Sequence, residues 1–146
     1  MLFVTEDISS LPLAADVIDA LARWRSSLKD EKRVAANTVE SYTFDIHNLF
    51  HFLVDYRGGP VTLKMLASLT LTDFRAWLAH NAAAEIGAAS RARAVAGVRN
   101  FFRWLDRTGE LHNPAIDLLK MPKAPRRLPR PVSEIEAKKL VELAEV

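Results

Sequence analysis

The stretch Ala89–Gly109, ASRARAVAGVRNFFRWLDRTG, decides the fold, because it combines apolar and basic residues at helical spacing. It holds five arginines against a single acid, Asp106. At about 100° per residue, one arc of a helix collects apolar side chains and predicts a buried face. This arc holds Ala94, Val95, Val98, Phe101, Phe102 and Leu105. The opposite, outward arc holds Arg93, Asn100, Arg103 and Arg107, with Trp104 next to that basic stripe.

Three further helices are predicted before this one. The first covers residues 15–32 and presents an apolar stripe at three- and four-residue steps. The second is capped by Asn37 or Thr38 and reaches Tyr56. The third begins at Thr70, which forms a capping box with Asp73, and ends near residue 85.

The remaining helix and turn of the bundle are predicted from their capping residues. Ser90 is expected to cap the quoted helix, which ends at Gly109. Asn113-Pro114 predicts a short helical turn. Because strand-like alternation is not sustained anywhere in the sequence, we expect an all-α, four-helix bundle.

The charge is distributed unevenly along the chain. Residues 88–130 hold ten lysines and arginines against three acids, whereas the net charge of all 146 residues is only +2. A basic block of this kind favours a polyanionic partner such as nucleic acid, although an ordinary solvated face with arginines lying over apolar neighbours explains it too. The chain has no cysteine, which excludes disulfides. With no long apolar run and no basic leader, we expect a cytoplasmic protein without a membrane partner.

The C-terminal part differs in composition. Residues 120–132, KMPKAPRRLPRPV, hold four prolines and five basic residues and predict a solvated linker. A polyproline ligand is the alternative to a tether that follows DNA. A capping box at Ser133 and Glu136 then starts a last helix. We therefore expect an N-terminal tail (1–12), a bundle domain (13–119), the linker (120–132) and the first helix of a truncated second domain (133–146).

Three stretches carry a resemblance to a known family. They are NTVESYTFDIHNLFHFL (37–53), SRARAVAGVRNFFRWLDRTGELHNPAIDLL (90–119) and PKAPRRLPRPVSEIEAKKL (122–140). Their order and spacing resemble the N-terminal, SAM-like core-binding domain of the tyrosine recombinases of the phage integrase family, most closely the Xer type. The chain departs from the usual pattern at Ala35, where serine is common, and at Phe44, where a basic residue is frequent.

The resemblance implies half of a clamp around duplex DNA, with the second and fourth predicted helices crossing in the major groove. It implies partner recombinase subunits for the full-length protein, whereas this chain alone is expected to be monomeric. The DNA-binding residues implied by the resemblance and the basic pattern are Thr38, Ser41, Ser90, Arg91, Arg93, Asn100, Arg103, Lys123, Arg126, Arg127 and Arg130. Reversing Arg93 and Arg103 to glutamate is expected to abolish binding without unfolding the protein.

Catalysis and cofactors are not expected from these residues. The family's nucleophilic tyrosine and its arginine–histidine–arginine set have no counterpart here, because no histidine lies in the matching motif and Tyr42 and Tyr56 fall on the predicted core arc. His47 and His51 are spaced for one helix face, where two solvated histidines are the alternative to a zinc site. We expect no cofactor and no metal. The competing hypotheses for function are a helical protein-interaction module, with Phe44 as an exposed anchor, and the same domain from a phage-type integrase.

Overall fold

A computed structural model describes residues 11–31 and 34–120, and the predicted linker and last helix lie outside these ranges. The described residues form five α-helices and a 3₁₀ turn, which confirms the all-α fold. The helices are α1 (Ala15–Asp30), α2 (Ala36–Arg57), α3 (Leu63–Ser68), α4 (Leu71–Ala83) and α5 (Ala88–Arg107), and the turn is Pro114–Leu118. The four predicted helices correspond to α1, α2, α4 and α5. The six-residue α3 was not predicted, because a helix this short has too few turns to show an apolar period.

The contact between α2 and α5 is the most extensive helix pairing in the described part of the chain. It is close because Gly97 lies in the middle of α5 against Tyr42 of α2. A methyl group on Gly97 would lie 2.9 Å from Tyr42 Cδ1, inside van der Waals distance. Glycine therefore sets the separation of the two helices at this point.

Aromatic rings from four helices fill the core around this pairing. Trp24 of α1 lies 4.9 Å from Phe101, and Phe50 of α2 makes an edge contact with the same ring at 6.3 Å. Phe74 of α4 meets Phe102 edge-on at 5.6 Å. The predicted core face of α5 is confirmed, since all six of its apolar residues are buried. Rings of this size dominate the burial of apolar surface in a small domain.

Trp104 is placed differently from the expectation. It is buried with the core rather than lying beside an outward basic stripe. The guanidinium of Arg23 on α1 covers its ring at 5.3 Å from the ring centre. The contact is a cation–π interaction, and it uses an arginine of α1 that sequence periodicity did not connect with α5.

The helix termini separate into two kinds. The Thr70–Asp73 capping box of α4 is confirmed, and Asn113 caps the predicted turn by accepting a hydrogen bond from the backbone N–H of Ala115. In contrast, α2 and α5 begin two or three residues earlier than predicted, with Ala35 and Gly87 at the N-cap and no side-chain cap. The predicted caps Asn37, Thr38 and Ser90 were therefore wrong, because all three lie inside the first helical turn.

Two side chains of α2 also depart from their predicted faces. Tyr56 was expected in the core, but its residue is 43% exposed and its hydroxyl donates to Asp73 Oδ1 at 3.0 Å. His47 was expected on the polar face and is buried. The reason is that α1, α4 and α5 all pack on α2. A helix covered on several sides buries positions that a single apolar stripe assigns to solvent.

We predict that Gly97→Ala destabilises the protein by about 1–3 kcal/mol through overpacking against Tyr42. The direction of this change in stability is informative, because Gly→Ala inside a helix otherwise stabilises a protein by up to about 1 kcal/mol. The free energy of unfolding in urea measures it. Gly59→Ala is the control, because Gly59 lies outside the helices and no atom lies within 4 Å of the added Cβ there. A Gly97→Ala variant as stable as the parent would contradict the close approach.

Candidate nucleic-acid interface

The first turns of α2 and α5 both precede the region where the two helices pack on each other. In that region Tyr42 meets Gly97, Asp45 meets Arg93 and Phe50 meets Phe101. Thr38 and Ser41 lie about one turn or less before Tyr42 on α2, and Ser90 and Arg91 lie within one turn before Arg93 on α5. We call the surface formed by these four residues together with Arg93 the α2–α5 surface.

Arg93 and Asp45 form the polar link between the two helices. Arg93 Nε donates to Asp45 Oδ2 at 2.9 Å and Nη2 donates to Oδ1 at 2.7 Å, a bidentate pair. The Asp45 side chain is 4% exposed, whereas the Arg93 side chain is 41% exposed. Arg93 therefore does not project freely, as the helical wheel predicted: one edge of its guanidinium is bound to a buried carboxylate and the rest reaches solvent.

Burial and pairing act on the Asp45 carboxyl in opposite directions. Burial raises the pKa of Asp45 above its ordinary value, and the hydrogen bonds and charge of Arg93 lower it by less. The same hydrogen bonds raise the pKa of Arg93, which is charged at any pH of interest. The carboxylate therefore decides how this pair responds to pH. Because its folded pKa lies above the unfolded one, its contribution to stability is complete below about pH 4 and declines as the pH rises through the folded value.

Arg91 holds the turn that precedes α5. Its Nη1 group donates to the carbonyl oxygen of Ile86, and the side chain is half-buried. Two residues before the N-cap Gly87, Glu85 has a φ of 64°, in the left-handed region. At helical spacing Arg91 falls on the same side of α5 as its apolar face. The structure places it at the end of the first turn, where its side chain bonds to a backbone carbonyl oxygen instead of entering the core.

The C-terminal half of the predicted basic stripe is largely engaged by other groups. Asn100 is half-buried and its Oδ1 accepts the indole N–H of Trp24 at 2.9 Å, so the prediction that it faces outward was wrong. Arg103 is exposed and donates to Asp117 at 3.2 Å. Arg99 contacts the same carboxylate at 3.4 Å. Arg107 is exposed, and within the described ranges no carboxylate lies within 4.0 Å of it.

Asp45 is the residue that the sequence reasoning missed. It lies in the sequence between Tyr42, which falls on the predicted core arc, and Ile46, which is buried, and it is not assigned to either face by the sequence analysis. An acid among apolar positions needs a partner when it is buried, since an unpaired charge there is costly. That requirement is the signal that could have connected Asp45 with an arginine of α5.

Other kinds of site find little support in the described residues. No group of three histidine, aspartate or glutamate side chains there is placed to hold a metal ion. His47 is buried, so the pair His47 and His51 does not form the exposed face that the spacing suggested. Lys123, Arg126, Arg127 and Arg130 lie outside the described residues. Among the helices that the structure describes, none combines the length and apolar character needed to cross a membrane.

Comparison with known proteins gives a consistent result. Residues 21–109 match the family model described as "Phage integrase, N-terminal SAM-like domain". The chain is 47% identical over 143 residues to tyrosine recombinase XerC of Rhodospirillum centenum. This match covers 97% of the present chain and 42% of that protein. It is 36% identical over 129 residues to tyrosine recombinase XerC of Bradyrhizobium diazoefficiens, which covers 88% of this chain and 40% of that protein. The chain thus spans about two fifths of the length of these relatives, and no solved structure gives a significant match.

The pair Asp45–Arg93 makes a prediction about stability and pH. Arg93→Met leaves the buried carboxylate without its partner and is expected to cost about 1–3 kcal/mol at pH 7, less than a fully buried pair because Arg93 is partly solvated. The deficit relative to the parent should shrink as the pH falls toward about 4, because a protonated Asp45 no longer needs the guanidinium. Urea unfolding at several pH values measures both effects.

Arg107→Met is the matched control, since it removes an exposed arginine of the same helix. A deficit of Arg93→Met that stays constant with pH would contradict the role of Asp45. The same geometry corrects the expectation that Arg93→Glu leaves the fold intact. That change would place a second carboxylate against the buried one.

Proposed function

Because the chain belongs to the phage integrase N-terminal SAM-like domain family, we propose that it is the DNA-binding domain of a Xer-type tyrosine recombinase. In this proposal the domain forms half of a clamp on duplex DNA, with α2 and α5 facing the major groove. The observation that carries it is that α2 and α5 pack directly on each other and that the N-termini of both lack a side-chain cap and carry a hydroxyl residue in the first turn.

The uncapped N-termini suit phosphate groups. The first backbone N–H groups of a helix have no partner within the helix, and the helix dipole favours negative charge at that end. Thr38 in α2 and Ser90 in α5 are each the third residue of their helix, and both are half-buried. One phosphate group at each of the two N-termini would therefore fit this arrangement. Arg103 and Arg107 extend the positive charge along α5.

The activity of the whole protein is part of the proposal. We propose that the parent protein carries out site-specific strand exchange with partner recombinase subunits, for the resolution of chromosome or plasmid dimers, in the cytoplasm. In this proposal residues 13–119 form the DNA-binding domain, and the basic segment 120–132, with Lys123, Arg126, Arg127 and Arg130, follows the duplex toward a second domain that starts at residue 133.

The competing functions receive less support. An interaction module anchored by Phe44 would need that ring to be exposed, and it is half-buried. A phage-type integrase would share the same fold and the same α2–α5 surface. The similarity to proteins named tyrosine recombinase XerC supports the Xer type.

Binding of duplex DNA should depend on the first turn of α5. We predict that Ser90→Asp weakens binding of a labelled duplex about 10-fold or more at ~50 mM salt, because a carboxylate at this position repels phosphate. The same change should leave the fold as stable or slightly more stable, since an acid in the first turn of a helix is favourable. Fluorescence anisotropy and urea unfolding give the two readouts.

Thr72→Asp is the matched control, because it adds the same charge to the first turn of another helix, α4. It should change affinity by no more than about two-fold, the effect of one unit of net charge placed away from the surface. Equal weakening by the two variants would contradict the placement of DNA on the α2–α5 surface. No binding of the parent chain to any duplex at ~50 mM salt would contradict the proposed function itself.

Covalent chemistry gives a separate prediction. Tyr42 packs on Gly97, and the Tyr56 hydroxyl is bonded to Asp73, which raises the pKa of this phenol. We therefore expect no protein–DNA adduct that survives denaturing electrophoresis when the chain is incubated with a nicked duplex. Such an adduct would contradict the expectation that this chain lacks the catalytic residues of the family.

A further inference from the structure

The free edge of Arg93 and the buried acid behind it carry an inference that rests on the proposed function. Asp45 occupies Nε and one N–H of Nη2, the side edge of the guanidinium. The end edge, which consists of Nη1 and the outer N–H of Nη2, has no partner among the described residues. Because the side chain is 41% exposed, these donors face solvent in an orientation that two hydrogen bonds fix.

The pairing also changes what Arg93 contributes electrostatically. A cation that already has a carboxylate at 2.7 Å adds little net positive charge to the surface, so it releases few counterions when DNA binds. Its remaining N–H donors keep their direction and geometry. A group of this kind contributes little to general attraction for phosphate and more to the choice between partners with different acceptors.

We propose that Arg93 recognises guanine in the major groove through its end edge, and that Asp45 is the positioning residue that orients it and neutralises its excess charge. Guanine presents two acceptors, O6 and N7, at the spacing of two parallel N–H donors, and no other base presents this pair in the major groove. Arg93 is the sixth residue of α5, beyond the first turn. Phosphate contacts are expected at the helix terminus, and Arg93 lies further along the helix than that terminus.

The experiment uses selection from a pool of randomised duplexes by the 146-residue chain. The parent should select a position occupied by guanine, with a preference of about 5- to 150-fold over other bases, the value of one bidentate contact. Replacing that guanine by 7-deazaguanine, which lacks the N7 acceptor, should remove most of the preference. Arg93→Lys is the decisive variant, because lysine keeps the positive charge beside Asp45 and loses the planar pair of donors.

Arg93→Lys should lose the guanine preference while the dependence of affinity on salt stays the same. Asp45→Asn should also lose the preference, yet its affinity for unselected duplexes should rise and its salt slope should steepen by about one, because a masked positive charge is released. Arg75→Lys is the control and should keep the preference, because Arg75 is an exposed arginine of α4 outside the α2–α5 surface. Urea unfolding of each variant separates these effects from loss of fold, which would weaken binding to all duplexes alike.

The outcomes distinguish this inference from the function on which it rests. If the parent binds no duplex, the proposed function and the inference both fail. Suppose the parent binds DNA but Arg93→Lys retains the guanine preference, or binds all duplexes equally less tightly, as the loss of a phosphate contact would cause. Then only the proposal that Arg93 recognises guanine fails. If Asp45→Asn alone retains the preference, the assignment of Asp45 as positioning residue is overturned.

Discussion

The close packing of α2 against α5 is the constraint on which the rest of the structure depends. It requires a residue without a side chain at Gly97, where the ring of Tyr42 fills the space. This approach brings Asp45 within hydrogen-bonding distance of Arg93, and it places Phe50 of α2 against Phe101 of α5. A wider separation would leave the carboxylate buried without a partner and would open a gap in the core. Packing and electrostatics at this interface therefore support each other.

Much of the fold could be predicted from the sequence because the helices carry local signals. The apolar face of α5, the Thr70–Asp73 capping box and the Asn113-Pro114 turn all depend on residues within a few positions of one another. The candidate site could not be predicted to the same depth. The partner of Arg93 lies 48 residues away in sequence, and Asn100 bonds to Trp24, 76 residues away. Helical periodicity assigns a residue to a face, but only the tertiary arrangement shows what that face meets.

The predicted caps failed for a related reason. Thr38 and Ser90 are good capping residues, yet α2 and α5 start earlier because the extended backbone at Ala35 and Gly87 already allows the helix to begin there. A polar residue near the start of a helix can therefore be the N-cap or can lie inside the first turn, and the sequence alone does not distinguish the two. Two asparagines show the same ambiguity inside the bundle. Asn100 and Asn48 accept the indole N–H groups of Trp24 and Trp77, so polar side chains that a wheel assigns to solvent satisfy buried tryptophans instead.

The segment after α5 is fastened to the bundle at several points. Asn113 donates to the carbonyl oxygens of Leu66 and Leu69, Ile116 and Leu119 are buried, and Asp117 contacts both Arg99 and Arg103. These contacts fix the position and direction of the chain up to Leu119 relative to the helices. A rotation of the bundle would therefore move the start of the basic segment, at Lys120, together with α5 as parts of one rigid unit.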